Sequence, residues 1–163
     1  VTFDPEQRAL VTRFNGHSLA VKAFSWCQAS KCIASGGLDR DILLWDPKTG
    51  SKLGRLRGHK AAVKDITYYS RNDNLFSLDM RSSIIIWDLG KQIQLKLLKT
   101  DIEGPLKARE GARAGRILVN ERRGLLAVCA KLPKLWRLKH HDSPAHARLQ
   151  HTHPLVAALY NAA

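Results

Sequence analysis

Short apolar runs separated by turn-forming residues recur along the first hundred residues of the chain. The runs are too short for most helices and have the length and composition of β-strands. The segments between them are rich in Gly, Asp, Asn and Ser, which favour tight turns. The first four runs are AVKAFSW at 20–26, CIAS at 32–35, DILLW at 41–45 and KLGRLR at 52–57. The pattern predicts a meander of short antiparallel strands.

This strand pattern repeats with a shift of 42 residues. Gly16-His17 superimposes on Gly58-His59, and Trp45-Asp46 superimposes on Trp87-Asp88. The second period carries the runs AVKDITYY, NLFSL, SIIIW and QIQLKLL, divided by SRND, DMRS and DLGK. Several independent landmarks share one spacing, which indicates a repeat architecture. Four strands per period is the layout of one propeller blade.

The order of the landmark residues resembles a WD40 repeat. Gly-His precedes the first strand, Ala-Ser-Gly-Gly-Leu-Asp spans the end of the second, and Ile-Leu-Leu-Trp-Asp ends the third. The interval from His17 to Trp45 is 28 positions, and the second period keeps it. In that family a His, a Ser, an Asp and a Trp form a buried hydrogen-bonded chain within one blade. The resemblance assigns these roles to His17, Ser35, Asp39 and Trp45, and to His59, Ser77 and Trp87.

The second blade departs from the family pattern at the Asp position. Arg81 stands there, 42 residues after Asp39. A guanidinium has only donors and cannot accept a hydrogen bond from a histidine ring. We therefore expect an incomplete hydrogen-bonded chain in this blade and a more mobile loop around Arg81.

The repeat divides the chain into five segments. After residue 100 the match fades, although the strand-like runs RILVN, LLAVC and KLPKLWRL remain, the last with Trp136. The segments are 1–15, the end of a preceding blade; 16–57 and 58–99, two WD40 blades; 100–150, a degenerate blade with an inserted loop; and 151–163, the first strand of a further blade. The predicted fold class is all-β: a WD40 β-propeller segment of about three to four blades of four antiparallel strands. We expect it to be part of a larger, seven-bladed ring, and a four-bladed ring closed by the two end segments is the alternative.

Charge adds a preference for acidic partners. The chain has 27 Lys and Arg against 14 Asp and Glu, a formal net charge of +13, which attracts anionic surfaces over long range. Basic side chains that only keep the surface soluble are the alternative. No apolar run is long enough to span a membrane, the start lacks a secretory pattern, and the three cysteines form no CxxC pair. We expect a cytoplasmic protein whose cysteines are reduced.

The sequence favours no catalytic, cofactor or metal site. His17, Ser35 and Asp39 are the residue types of a hydrolytic triad, but a nucleophile needs an exposed hydroxyl beside an oxyanion site. Their spacing resembles a buried structural network instead, so we expect no enzyme. Five histidines lie within 140–153 without a cysteine pair or a carboxylate at ligand spacing, which favours a solvated loop over zinc. No P-loop, dinucleotide fingerprint or EF-hand loop is present.

Binding is the function that is left. Family resemblance puts the start of the first strand and the turn after the second near the narrow top face of a propeller, where ligands often dock. We expect Val21 and Val63 to point into the core there. The candidate partner-binding residues are Lys22, Leu38, Arg40, Lys64, Met80 and Arg81. A second basic strip follows the predicted outer strands through Arg13, Lys52, Arg55, Arg57, Lys91 and Lys96.

Two classes of partner are expected. The first function is a non-catalytic scaffold for protein–protein interactions that docks acidic surfaces such as those of tubulin. The phrase from His153 to Asn161 resembles a blade opening in large WD-repeat proteins of cilia and flagella, which ranks a microtubule-associated, axonemal location first. The alternative is an RNA-associated propeller of ribosome assembly or another ribonucleoprotein. Tyr68 and Tyr69 are then the main aromatic residues left to stack on bases.

Overall fold

A computed structural model of the chain describes residues 2–4, 9–99, 115–129 and 134–138. Within these ranges the regular structure is β, apart from one 3-10 turn at Ser70–Asn72. The strands form a two-stranded pair, two four-stranded sheets and one three-stranded sheet. Within each sheet, every strand pairs antiparallel with the next strand along the chain, so the sheets are meanders. The predicted all-β class, a segment of a propeller, is confirmed.

The strands follow the predicted runs closely. The N-terminal pair contains β1 (Thr2–Asp4) and β2 (Ala9–Thr12). The first sheet contains β3 (Val21–Cys27), β4 (Cys32–Gly37), β5 (Ile42–Trp45) and β6 (Lys52–Leu56). The second sheet contains β7 (Val63–Tyr69), β8 (Asn74–Asp79), β9 (Ser83–Asp88) and β10 (Ile93–Lys99). The third sheet contains β11 (Arg116–Asn120), β12 (Leu125–Cys129) and β13 (Lys134–Arg137).

The tryptophan near the end of each third strand keeps one register through all three sheets. Trp45 pairs with Ile33, Trp87 pairs with Leu75, and Trp136 pairs with Leu126. Trp136 follows Trp87 by 49 residues rather than 42. Leu126 follows Leu75 by 51 residues, so the interval between the paired residues is 10 in the third sheet and 12 in the other two. In all three sheets the tryptophan nevertheless pairs with the second residue of the second strand.

The sheets stack through their first two strands. Strand β7 contacts β3 and β4, and β11 contacts β7 and β8. Val63 and Ile66 of β7 pack over Gly36 of β4, where an added Cβ would lie 2.6 Å from Val63 Cγ1. Because Gly36 has no side chain, the second sheet can approach the first sheet closely at this position. One apolar cluster joins the first two sheets and another joins the second to the third.

The equivalent face of the first sheet is open. Val21 is 49% exposed, Phe24 is 76% exposed, and Trp26 is also exposed. In the second sheet, the residues equivalent to Val21 and Phe24 are Val63 and Ile66, and both are buried against the first sheet. The prediction for Val63 is confirmed, and the prediction that Val21 points into the core is wrong. The physical reason is that burial on this face comes from a neighbouring sheet, and the described residues hold no equivalent of Gly36 on the side of Val21.

Candidate functional site

Four polar side chains form one hydrogen-bonded chain inside the first sheet. Trp45 Nε1 donates to Ser35 Oγ at 2.7 Å, and Ser35 Oγ lies 2.8 Å from His17 Nε2. His17 Nδ1 lies 2.7 Å from Asp39 Oδ2, and the Ser18 N–H reaches the same oxygen at 3.1 Å. The chain joins β4 and β5 to the loop before β3 and to the turn between β4 and β5. The structure thus brings together all four residues that the resemblance assigned.

The direction of these hydrogen bonds follows from the charge of the carboxylate. Burial has the largest single effect and raises the pKa of Asp39, but His17 and the backbone N–H groups that bind the carboxylate together outweigh it and hold the pKa below its ordinary value. An ionised carboxylate only accepts, so His17 Nδ1 carries the proton that it donates to Asp39. In the neutral ring Nε2 then accepts from the Ser35 hydroxyl, which itself accepts from the indole of Trp45. Each donor in the chain finds one acceptor.

The second sheet holds an equivalent chain, with its carboxylate at an unexpected position. Trp87 Nε1 donates to Ser77 Oγ at 2.8 Å, and His59 Nε2 lies 2.6 Å from the same oxygen. His59 Nδ1 lies 3.2 Å from Asp79 Oδ2. The prediction that Arg81 leaves this chain incomplete is wrong. Asp79, two residues earlier at the end of β8, does what Asp39 does in the first sheet.

Asp79 also organises the turn that contains Arg81. Its Oδ1 accepts the N–H groups of Arg81 and Ser83, both at 2.9 Å, and its side chain is only 2% exposed. Burial raises the pKa of Asp79, but the bonds from His59 and Ser83 hold it below the ordinary value. Two backbone N–H groups of the turn bind this carboxylate, so the turn is held by hydrogen bonds. The missing carboxylate that led us to expect a more mobile loop is therefore supplied by Asp79. The Arg81 side chain itself is exposed.

The glycine before each histidine makes room for the tryptophan of the chain. A Cβ at Gly16 would lie 2.8 Å from Trp45 Cη2, and one at Gly58 would lie 3.1 Å from Trp87 Cη2. The contact at Gly16 is short enough that the indole would have to move, and a buried indole has little freedom to do so; the contact at Gly58 is tight, and a Cβ there would also lie 2.7 Å from Gln94 Oε1. The Gly-His pair is therefore a packing requirement: glycine admits the ring and histidine binds the serine beside it.

The geometry of these serines differs from that of a nucleophile. Ser35 is buried and Ser77 is completely buried, so neither hydroxyl faces solvent. Each oxygen already accepts from a tryptophan N–H and contacts a histidine, and Ser77 Oγ also lies 3.4 Å from Ile85 O. A reacting carbonyl has no place to approach these atoms. The arrangement ties strands together.

The six candidate partner-binding residues lie around the turns that follow β4 and β8. We call Lys22, Leu38, Arg40, Lys64, Met80 and Arg81 the rim. Backbone hydrogen bonds of 2.9 Å hold both turns, from Leu38 N to Ala20 O and from Met80 N to Ala62 O. Leu38 is 36% exposed and Met80 is 42% exposed. Lys22, Arg40 and Arg81 are exposed, and Lys64 is half-buried.

The carboxylates nearest to the rim point inwards. Asp39 precedes Arg40 and Asp79 precedes Met80, but both side chains are buried against the histidines of the two polar chains. A third carboxylate, Asp41, directly follows Arg40; it accepts a hydrogen bond from Arg55 and lies 3.9 Å from Arg57, so it neutralises part of the positive charge of the outer strand β6. That bond with Asp41 raises the pKa of Arg55. The exposed side chains of the rim itself are apolar or cationic.

Polar contacts between neighbouring sheets were not predicted from the sequence. Tyr68 OH donates to Asp73 Oδ1 at 2.8 Å and accepts from the Ala29 N–H at 3.1 Å, while Ser30 Oγ donates to Asp73 Oδ2 at 2.5 Å. Burial, together with the bond to Asp73, raises the pKa of Tyr68 to about 12. These contacts fasten the β3–β4 hairpin to the second sheet. No sequence signal marks them, because they join positions about forty residues apart.

A similar set joins the second sheet to the third. Ser70 donates through its N–H and its hydroxyl to the carboxylate of Glu121, at 3.1 and 2.9 Å. The Ile117 N–H donates to Asp65 Oδ2 at 2.8 Å. The carboxylates of Asp73 and Glu121 therefore play parallel parts at successive sheet boundaries.

The aromatic side chains that the RNA alternative requires are not available where they were expected. Tyr69 is buried, and Tyr68 is half-buried with its hydroxyl engaged. The prediction that these two tyrosines are free for base stacking is wrong, because both pack between sheets. Among the described residues, the most exposed aromatic side chains are instead Phe24 and Trp26.

Comparison with known proteins identifies the repeat. Residues 8–46 and 50–88 each match the family model described as WD40: WD domain, G-beta repeat. The matches contain both polar chains and support the WD40 family for this part of the chain. A search of curated proteins finds no match to the chain.

Two further properties concern ligands and membranes. Among the described residues, no group of three or more His, Cys, Asp or Glu side chains could hold a metal ion. No helix in that part of the chain is long and apolar enough to cross a membrane. The histidines between 140 and 153 and the phrase that starts at His153 lie outside the described residues.

Proposed function

We propose that these WD40 repeats belong to a non-catalytic scaffold that binds other proteins, and that the rim is its contact surface. WD40 domains typically bind other proteins, which supports a protein partner in general. The two serine–histidine pairs are buried and occupied by structural hydrogen bonds, which supports a role other than catalysis.

The observation that carries the proposal is a repeated pair of exposed side chains. Leu38 and Met80 occupy equivalent positions in the two sheets, and each has an exposed arginine in the same turn, Arg40 two residues after Leu38 and Arg81 one residue after Met80. Exposed apolar residues supply contact area at an interface, while cations select and attract an anionic partner. The partner that fits is therefore an acidic protein segment carrying apolar side chains. Methionine adapts its shape to varied partners.

The acidic tails of tubulin are a partner of this class, and we propose the cytoskeleton of the cilium or flagellum as the location to test first. The resemblance of the phrase His153 to Asn161 to axonemal WD-repeat proteins supports this choice of location. We further propose that the sheets are blades of a larger ring. The open face around Phe24 supports this, because the equivalent face of the second sheet is covered by a neighbouring sheet.

Cosedimentation with microtubules tests the proposal. The rim variant carries Lys22→Gln, Arg40→Gln and Arg81→Gln, and the matched control carries Lys48→Gln, Lys52→Gln and Lys91→Gln. Both remove three exposed positive charges, but only the first changes the rim. We expect the rim variant to lose binding and the control to keep most of it. We also expect the unchanged chain to bind poorly to microtubules whose acidic tails have been removed. Equal losses in both variants would refute the rim as the contact surface.

RNA association is the second candidate, and it requires the face that exposes Phe24 and Trp26 to stay open rather than be covered by a further sheet. Binding to single-stranded RNA is measured across a salt series with the same variants. If Lys22, Arg40 and Arg81 contact phosphates, the slope of log affinity against log salt falls by about 2 in the rim variant. Salt-dependent RNA binding together with no binding to microtubules would replace the protein scaffold with this candidate.

A further inference from the structure

Two cysteines close the hairpin that fastens the first sheet to the second. Cys27 ends β3, Cys32 begins β4, and the two are direct partners in the antiparallel register. Partners of this kind have Cα atoms about 4.5–5.5 Å apart, within the range that a disulfide bridges. Their side chains leave the sheet on the same face, because they occupy opposed positions of one ladder. Both are free thiols and both are buried in the same apolar cluster.

The two sulfurs are chemically unequal. A hydrogen bond to Cys32, reinforced by burial, raises the pKa of Cys27, whereas the same bond lowers the pKa of Cys32. Cys32 is therefore the sulfur that carries the negative charge more readily, while the Cys27 thiol also lies 3.9 Å from the Ser25 carbonyl, to which it donates. Thiolates are the nucleophiles of disulfide exchange. The third cysteine, Cys129, lies opposite Arg116 in β11 and has no cysteine partner.

We propose that Cys27 and Cys32 form a redox-sensitive modification site, at which a low-molecular-weight disulfide such as glutathione disulfide converts the two thiols into one cross-strand disulfide. The Cys32 thiolate attacks a glutathione sulfur and expels the first glutathione thiolate. The Cys27 sulfur then gives up its proton, attacks Cys32 and expels the second. One S–S bond forms in the protein and one breaks in the oxidant, two electrons pass to glutathione, and the two protein thiol protons end on the two glutathione thiols.

The position of the pair gives the modification a structural consequence. The residues between the cysteines include Ala29 and Ser30, which bind Tyr68 and Asp73 of the second sheet. The disulfide would close this six-residue hairpin covalently, so its tip would separate from the second sheet less often. Because both sulfurs are buried, the reaction requires the tip to open, and it is slower than modification of the more exposed Cys129.

The equivalent hairpins lack such a pair. Tyr69 faces Asn74 in the second sheet, and Asn120 faces Leu125 in the third. The fold itself therefore does not require two cysteines here. Oxidation would act on the boundary between the first and second sheets alone.

The test uses the full chain with Cys129→Ser, equilibrated in glutathione buffers of increasing disulfide content. Samples are alkylated and digested with trypsin, which cuts after Lys22, Lys31 and Arg40 and so places the two cysteines in separate peptides, 23–31 and 32–40. We expect a linked pair of peptides that reductant separates. Oxidation is compared at the value of the glutathione disulfide concentration divided by the square of the glutathione concentration. The native chain should be half oxidised at a value at least about tenfold lower than the value that half oxidises the urea-unfolded chain. The variant with both Cys32→Ser and Cys129→Ser should give no linked peptides.

Two results would overturn the proposal. One is separate, alkylated peptides from the native chain at ratios that already oxidise the unfolded chain. The other is equal oxidation of native and unfolded chains, which would mean that the hairpin does not hold the sulfurs in place for a disulfide. Exchange of the Ala29 N–H with deuterium checks the consequence: it should slow at least several-fold on oxidation, and faster exchange would contradict the closed hairpin.

Discussion

Substitution of Asp79 should be the most damaging change of a single polar side chain in the second sheet. The carboxylate accepts hydrogen bonds from His59, Arg81 N and Ser83 N, and it is almost completely buried. Asp79→Ala leaves the His59 ring without its acceptor, and that ring is fully buried. An unsatisfied buried donor costs about 1–3 kcal/mol, and Asp79→Ala removes the acceptor of His59 and of two backbone N–H groups. We therefore expect a loss of about 3–5 kcal/mol.

Arg81 provides the decisive comparison, because the 42-residue period aligns it with Asp39. If position 81 were an unfilled carboxylate site, Arg81→Asp would complete the chain and stabilise the protein. Since Asp79 already occupies the site, Arg81→Asp and Arg81→Ala should change the free energy of unfolding by less than about 0.5 kcal/mol, as exposed substitutions usually do.

Urea unfolding followed by circular dichroism measures both effects, and a double-mutant cycle isolates the contact. The coupling between Asp79→Ala and His59→Ala should be at least about 1 kcal/mol, because the residues contact each other. Coupling between Asp79→Ala and Arg81→Ala should be smaller. A cost below about 1 kcal/mol for Asp79→Ala, or a clear gain for Arg81→Asp, would refute the reasoning.

Three further predictions follow from the same contacts. Ser35→Ala should lower the free energy of unfolding by about 1–3 kcal/mol, because it strips acceptor and donor from two buried rings, and thermal melting measures this. The pKa of Asp39 and of Asp79 lies below the ordinary 3.8, so their stabilisation is present above that pH and is lost as pH falls through the lower folded values. Urea midpoints should therefore fall below about pH 4, and less steeply in Asp79→Asn; an equally steep fall would contradict this. Gly36→Ala should cost about 1–3 kcal/mol, because its Cβ would lie 2.6 Å from Val63 Cγ1, and an unchanged melting temperature would show that the sheets have room to separate.

The local part of the fold could be predicted because its determinants are close in sequence. Apolar runs and turn residues are local signals, and they gave strands β3 to β10 nearly to the residue. The fixed spacing of His17, Ser35 and Trp45 and of their counterparts likewise indicated which side chains meet. Alignment of the two repeats residue by residue does not identify Asp79, however, because Asp79 aligns with Gly37 rather than with Asp39. The first sheet places its carboxylate two residues after the end of β4 and the second sheet places it at the last residue of β8, yet both bind the equivalent histidine.

Contacts between sheets could not be predicted, because they join residues that are far apart in the sequence. Val21 and Val63 occupy equivalent positions, yet one is half exposed and the other is buried, depending on whether a sheet lies beside it. The hydroxyl of Tyr68 accepts a hydrogen bond from the N–H of Ala29, which lies 39 residues away in the sequence. Phe24 and Trp26 are exposed although their strand has an ordinary apolar pattern. Burial on these faces is a property of the stack of sheets rather than of one repeat.

Site-specific photocrosslinking to tubulin tests the rim most directly. A photoreactive phenylalanine analogue replaces Leu38 or Met80, and the control positions are Leu53 and Ile93, which are somewhat more exposed apolar residues on the outer strands. The account predicts crosslinks to the acidic tails of tubulin from positions 38 and 80 and few or none from 53 and 93. Crosslinks from the outer strands alone, or from none of the four positions, would contradict it.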